Sequence, residues 1–407
     1  MSCLFWIWLG VTASTLVVWM LRLVLLGFID RILPPLHPKM FERAANGLPS
    51  LSVLVAAKDE GENIEACLRS LRAQDHPEFE IIAINDRSSD ETGEILDRLA
   101  GSMAGLSVGH VRDLPAGWYG KNNAMREAVK RSSGAWLCFT DADCLYDSRR
   151  CLSIAMRHAL KTDADFLSVL PSQQTRTFWE RLIQPACSAI LMLWFSPMAV
   201  NNPRRRTAYA NGAFMLMRRS CYEAIGGHEA VRDHITEDME LARRAKACGQ
   251  RLRVTTSRDL YSVRMYGSFG ALWSGWTRIF SGSFQRAGSL LLAAAVLLWF
   301  TYIPWFSLTG LLILSGLGWA GSEQWMLVMK WVTIPACIAQ VLSMTFFYGL
   351  NRIHWVYGVI YPLGALMGLG LLLNGVYCAL GRGSIDWRGT TTRGGSIETE
   401  PSQATIT

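Results

Sequence analysis

The sequence predicts an α/β domain on a mostly parallel sheet, with membrane-spanning helices before and after it. Three observations predict this fold: long apolar runs near both ends, strands alternating with helices from Leu51 onward, and acidic residues placed just after successive strands. The chain has 407 residues, of which 18% are charged and 50% hydrophobic. An ordinary soluble domain carries about 25% charged residues, so part of this chain is built for lipid. The composition excludes a disordered chain, a collagen-like fibre and a small disulfide scaffold. The net charge of +7 suits a nucleic acid, an anionic membrane surface or a phosphate-bearing substrate. The apolar segments favour the last two, and no nucleic-acid partner is expected.

From the N-terminus, Leu4 to Ile29 is apolar apart from Arg22 and exceeds the about 20 residues a bilayer core needs. A signal peptide has a shorter apolar part and a small-residue cleavage site, so residues 1–30 read as a retained anchor. Arg31, Lys39 and Arg43 follow it and place the next segment in the cytoplasm by the positive-inside rule. Ten cysteines without a Cys-x-x-Cys pair read as reduced structural thiols, which suits that side.

The α/β domain is expected over 48–285. Leu51–Ala57 is a buried strand and Ile64–Leu71 the amphipathic helix after it. Phe79–Ile84 is a second strand, with a helix through Ile95 and Leu99. Leu106–Val111 is a third strand and Ala135–Phe139 a fourth. Such alternation implies βαβ units and a parallel sheet, whose ligands sit beyond the carboxyl ends of the strands. Within this domain, 185–200 reads as a core helix or one lying in the lipid interface.

Membrane segments are expected over 288–380: Leu290–Leu317, Trp325–Leu350 and Trp355–Leu380. Three crossings would leave the tail outside, yet Arg382, Arg388 and Arg393 favour the cytoplasmic face. One segment is therefore expected not to cross, and Lys330 marks Trp325–Leu350 as that segment. The tail, 381–407, is rich in Thr, Ser and Gly and is expected to be disordered beyond 390.

Three acidic stations follow strand ends: Lys58-Asp59-Glu60, Asn85-Asp86-Arg87 and Thr140-Asp141-Ala142-Asp143. Singly, each reads as helix capping. Together at one sheet edge, carboxylates repel unless a cation or hydrogen-bond donors accompany them. A nucleoside diphosphate with Mg²⁺ or Mn²⁺ supplies both, since Asp-x-Asp offers hard oxygen ligands. Asp86 could accept the N–H of a pyrimidine base. Lys121 opens a helix in Gly117-Trp118-Tyr119-Gly120-Lys121, where its charge and the helix N-terminus favour phosphate; the alternative is a solvated surface lysine. Thr236-Glu237-Asp238 begins another helix. Its carboxylates either compensate the helix dipole or remove an acceptor hydroxyl proton.

This ordered set resembles the inverting family 2 glycosyltransferases with a GT-A, Rossmann-like fold, over about Leu51 to Ser281. The resemblance implies that Asp59 or Glu60, with Asp86, holds the nucleoside and that Asp141 and Asp143 form the metal and diphosphate site. It implies Asp238 as general base and places Asn211 and Gly212, in a strand Tyr209–Phe214, on the acceptor side, with Glu237 and Trp276. Gly226-Gly227-His228 matches the loop that follows. Leu114–Lys121 and Ile385-Asp386-Trp387-Arg388-Gly389 resemble a membrane-bound subgroup associated with hopanoid and carotenoid pathways, implying a lipid acceptor. Where processive synthases carry Gln-x-x-Arg-Trp, this chain has Trp273-Ser-Gly-Trp276-Thr277-Arg278. This departure implies one sugar per acceptor, with Arg278 either serving the diphosphate or lying at the lipid interface. The expectation is a metal-dependent transferase of a single, UDP-linked sugar to a lipid, at the plasma or inner membrane, with the catalytic domain in the cytoplasm. A processive polysaccharide synthase or a non-catalytic nucleotide-sugar-binding protein is the alternative.

Overall fold

The computed structural model describes residues 3–41, 47–317, 323–387, 390–393 and 396–398. Arg43, Arg388 and the tail beyond 398 lie outside the described residues. The chain divides into two compact units.

The larger unit comprises Leu33–Gln174, Trp194–Ser283 and Cys378–Thr407. Its first strands follow the expected order: β1 (Leu51–Ala57), β2 (Phe79–Asp86), β3 (Leu106–Val111) and β4 (Trp136–Asp141). After the short β5 (Cys144–Leu145) come β6 (Phe166–Leu170), β7 (Ser172–Gln173), β8 (Met215–Arg218) and β9 (Leu252–Thr256). The main sheet has the order β3-β2-β1-β4-β8-β6-β9, and only β8 runs antiparallel to its neighbours. β1 is near-continuously apolar because both of its faces are covered. Val53 and Val55 pack in the layer containing Ile64 and Leu68, while Leu54 packs with Ile82 and Ala124 in the other.

A second sheet, β5-β10-β7, is completed by β10 (Ser262–Val263). A third joins β11 (Ser384–Trp387), β12 (Thr390–Arg393) and β13 (Ser396–Glu398), all antiparallel. Disorder beyond 390 was the expectation; instead, backbone pairing organises 390–393 and 396–398. Burial alternates along β12, with Thr390 and Thr392 inward, so threonine satisfies a period-two face that composition alone masks. Tyr209–Phe214 is likewise not a strand. Asn211 Oδ1 accepts the N–H of Ala213, and Asn211 O that of Phe214. This Asx-type turn delays the strand to Met215.

The smaller unit gathers Met1–Ile32, Thr175–Leu193 and Phe284–Tyr377. Five helices are long and apolar enough to cross a membrane, by length and composition: Cys3–Gly27, Phe178–Val200, Ala287–Gly316, Gln324–Leu350 and Tyr361–Ala379. The expected 185–200 segment begins earlier, at Phe178, and its helix packs with the other apolar helices. Tyr348 Oη donates to Leu182 O at 2.7 Å. A Cβ at Gly364 would meet that same carbonyl at 2.7 Å, so glycine permits the backbones to approach, as small residues do between apolar helices. Thr12 and Ser307 hydroxyls pair at 3.0 Å, and Trp19 Nε1 donates to Phe300 O at 2.8 Å. Arg22 is accommodated by stacking on Trp19 and Phe347.

Candidate active site

The carboxyl ends of β1, β2 and β4 open onto a cleft lined by Glu60, Asp86, Lys121, Asp141, Asp143, Asn211, Glu237 and Arg278. These eight expected site residues thus converge.

At the first station, Asp59 takes positive φ (54°). Its Oδ1 accepts the amide and hydroxyl of Ser89 at 2.7 and 3.1 Å. The Ser89 amide outweighs burial, which alone would raise the pKa, and holds this carboxyl below its ordinary range. Asp59 therefore ties the first station to the second, and Glu60, which is buried, reaches the cavity. At the second, Asp86 is 3% exposed and grips Arg87, with Nε and Nη2 at 2.8 and 3.2 Å from its two oxygens. A Cβ at Gly120 would come within 2.0 Å of Asp86 Oδ2. Glycine at this helix start is therefore what lets Asp86 face the cavity.

Lys121 sits one residue into the Gly120–Lys130 helix, between carboxylates from two other elements. Its Nζ lies 2.6 Å from Asp141 Oδ1, at the end of β4, and 2.8 Å from Glu237 Oε1. Burial alone would lower its pKa, but Asp141 and Glu237 outweigh it and raise it. Lys121 is thus a fixed cation rather than a solvated one. Asn122, next in the helix, donates to the carbonyls of Val231, Arg232 and His234 at 2.8, 3.2 and 3.0 Å. It pins the loop entering the Glu237–Ala247 helix and so sets where Glu237 projects.

Asp238, one residue along, accepts the amides of Gly212 at 2.9 Å and Met239 at 2.7 Å. Burial first, then the neighbouring Glu237, raises its carboxyl pKa to about 6, against the opposing pull of Lys121. A Cβ at Gly212 would meet Lys121 Nζ at 2.9 Å and Asp238 Oδ2 at 3.6 Å, so these groups share one small volume. Asp238 lies beside the cavity wall formed by Glu237 and Asn211 rather than on it.

Trp276 departs from expectation. It is 2% exposed, packs on Phe280, and its Nε1 meets no hydrogen-bond partner among the described residues. On the Phe269–Phe284 helix it takes the core-facing position, whereas Arg278, two residues on, lines the cavity.

The residues missed by sequence reasoning are Arg87, Asn122, Tyr266 and Thr390. Arg87 and Asn122 adjoin recognised motifs, and that adjacency was their only signal. Tyr266 and Thr390 line the cavity through chain reversals that no local pattern announces.

The implied cation can be tested against this geometry. Among the described residues, no three His, Cys, Asp or Glu side chains converge on a metal-sized site. Asp141, at the end of β4, and Asp143, on the turn before β5, both line the cavity. Two hard carboxylates fit Mg²⁺ or Mn²⁺ when phosphate oxygens and water complete the octahedron, the usual arrangement for a cation that dehydrates reluctantly. The residues fit the group on those terms.

The glycosyl transferase family 2 model matches residues 52–226. The beta-monoglucosyldiacylglycerol synthase of Trichormus variabilis is 27% identical over 209 residues, covering 50% of this chain and 43% of that one. The poly-beta-1,6-N-acetyl-D-glucosamine synthase of Staphylococcus epidermidis is 36% identical over 97 residues, covering 24% and 22%. The chain spans less than half the length of either relative. Among solved structures, a mannosyltransferase of Pyrobaculum calidifontis in complex with GDP-mannose and Mn²⁺ superposes with a TM-score of 0.52. That match is at 17% identity and covers 92% of this chain and 98% of that one. The likeness shows a shared fold and bears out the GT-A arrangement.

Proposed function

From a chain that carries a glycosyl transferase family 2 domain over residues 52–226, we propose a membrane-bound, metal-dependent inverting glycosyltransferase. It moves one sugar from a nucleotide-sugar, UDP-linked in this reading, to a lipid hydroxyl. The observation that carries the proposal is the convergence of Asp86, Lys121, Asp141, Asp143, Glu237 and Arg278 on one cavity at the sheet's carboxyl edge.

Glu60 and Asp86 accept hydrogen bonds from the nucleoside. Asp141 and Asp143 hold the divalent cation, which when bound neutralises charge on the diphosphate. Lys121 and Arg278 add fixed positive charge toward the same oxygens, a preorganised electrostatic contribution. Asp238 takes the proton from the acceptor hydroxyl as that oxygen bonds to the anomeric carbon; the bond to the diphosphate breaks in the same displacement, inverting the centre. Its raised pKa suits a base working near neutral pH.

A lipid acceptor is supported by the five long apolar helices and by a relative named for a glucosyldiacylglycerol. A single transfer is supported by the Trp273–Arg278 sequence in place of Gln-x-x-Arg-Trp. The polysaccharide synthase relative matches only 97 residues, 24% of this chain. The test is full-length protein in lipid nanodiscs, given UDP- or GDP-linked hexoses with Mn²⁺ and either diacylglycerol or a polyprenyl or triterpenoid alcohol. A singly glycosylated lipid in the mass spectrum is expected. Oligosaccharide ladders would indicate the processive reading, and no lipid-stimulated nucleotide release would defeat the proposal.

A further inference from the structure

Two segments outside the acidic stations meet at the cavity. Trp387, at the end of β11, lays its ring 3.4 Å from the Arg278 guanidinium carbon. Thr392, on β12, hydrogen-bonds Tyr119 Oη, and both residues are buried. Tyr119 precedes the helix that carries Lys121. Trp387 and Thr390 line the cavity beside Arg278. The C-terminal sheet thus reaches Arg278 directly and the start of the helix that carries Lys121 through Tyr119, far in sequence from either.

We infer that this sheet is a wall of the nucleotide-binding cavity and that Trp387 is a positioning residue, holding Arg278 toward the donor diphosphate. The inference rests on the donor-site reading above. A guanidinium left to solvent would sample many rotamers. An indole face restricts it and attracts its charge without consuming its N–H groups. Arg278 Nε meets no hydrogen-bond partner among the described residues, so the ring contact is what restrains this end of the guanidinium while Arg278 lines the cavity. The Tyr119–Thr392 bond fixes the sheet to the neighbouring helix start, so both cations are held to one frame.

The test measures binding of UDP and of GDP, each with Mn²⁺, to full-length protein by titration calorimetry. Trp387→Leu keeps an apolar side chain but has no π face, and should weaken binding about five- to tenfold. Trp387→Phe restores a ring and should bind within about twofold of wild type. Because Trp387 acts through Arg278, the Arg278→Ala, Trp387→Leu double variant should bind as Arg278→Ala does. Wild-type affinity in Trp387→Leu, or losses that simply add, would overturn the inference while leaving the donor site standing. Failure of wild-type protein to bind either nucleotide would overturn the donor-site reading, and the inference with it.

Discussion

Asp238 and Asp143 are both aspartates near one cavity, yet their surroundings suit them to different work. Asp238 is held by two amide N–H groups beside Glu237, and burial and that neighbour raise its pKa to about 6. A general base must be unprotonated, so kcat/KM should fall as pH drops below about 6, and Asp238→Asn should lower kcat by about 10²–10⁴ and abolish that limb. The stability consequence has the opposite sign. The folded state holds this proton more tightly than the unfolded chain, so Asp238 costs stability as pH rises from about 4 through 6, and fully above it. Denaturant titrations at pH 4 and 7 should therefore show Asp238→Asn gaining relative stability at the higher pH. A pH profile of unchanged shape and height in this variant would remove Asp238 from the base role. Asp143 lies instead on the cavity-lining turn after β4. Asp143→Asn, or EDTA on wild type, should abolish transfer while leaving the thermal melt of the protein in place. Full activity in both cases would discard the metal.

At the scale of elements, the Phe178–Trp194 and Tyr361–Ala379 helices touch through glycine. Gly364→Leu would drive a side chain into the Leu182 carbonyl, 2.7 Å from where Cβ stands. It should destabilise the protein by about 1–3 kcal/mol, read as a lower melting temperature in detergent, while Gly316→Leu, at an open site, should not. Elements also differ in how legible they were. β1, β2 and β4 could be read because each is a continuous apolar run covered on both faces. β6 (Phe166–Leu170) has the same character but follows no acidic station that would draw attention to it. β8 is four residues long and antiparallel, and the turn at Asn211 shifts its start beyond the expected place. The Thr-rich C-terminal strands read as disorder because their order comes from pairing with one another and from Tyr119 and Arg278. The site was legible where strand ends deliver side chains, at Asp86, Asp141 and Asp143. It was legible too in the Ile385–Gly389 motif that carries Trp387, but not where Thr390 arrives from the far end of the chain, and helix periodicity hid which of Trp276 and Arg278 faces the core.

For the whole molecule, connectivity constrains how the apolar helices meet a bilayer. β6 and β8 pair in one sheet, and the Phe178–Trp194 helix lies between them in the chain. In the proposed membrane-bound protein a single crossing there would put paired strands on opposite sides, so we predict that this helix lies along the membrane or dips into it. The same parity applies between Ser283 and Cys378, because both ends belong to the α/β unit. Ala287–Gly316, Glu323–Leu350 and Tyr361–Ala379 lie between, so an even number of them cross. Lys330 suggested Glu323–Leu350 as the one that does not, but it is exposed in the second turn of that helix. About 20 apolar-rich residues remain beyond it, and its ammonium can reach the headgroups. We predict that Tyr361–Ala379 is the helix that does not cross. It has 19 residues, the fewest of the three, and packs on the Phe178–Trp194 helix through Gly364 and Gly368. Charge agrees, since 318–322 holds no Lys or Arg whereas Arg352 and Arg382 flank this helix, as the positive-inside rule requires. With the ten native cysteines replaced, an impermeant thiol reagent on intact cells should label Ser322→Cys and spare Asn351→Cys. Labelling at both positions would return the non-crossing role to Glu323–Leu350, labelling at 351 alone would give it to Ala287–Gly316, and protection at both would mean that none of the three helices crosses.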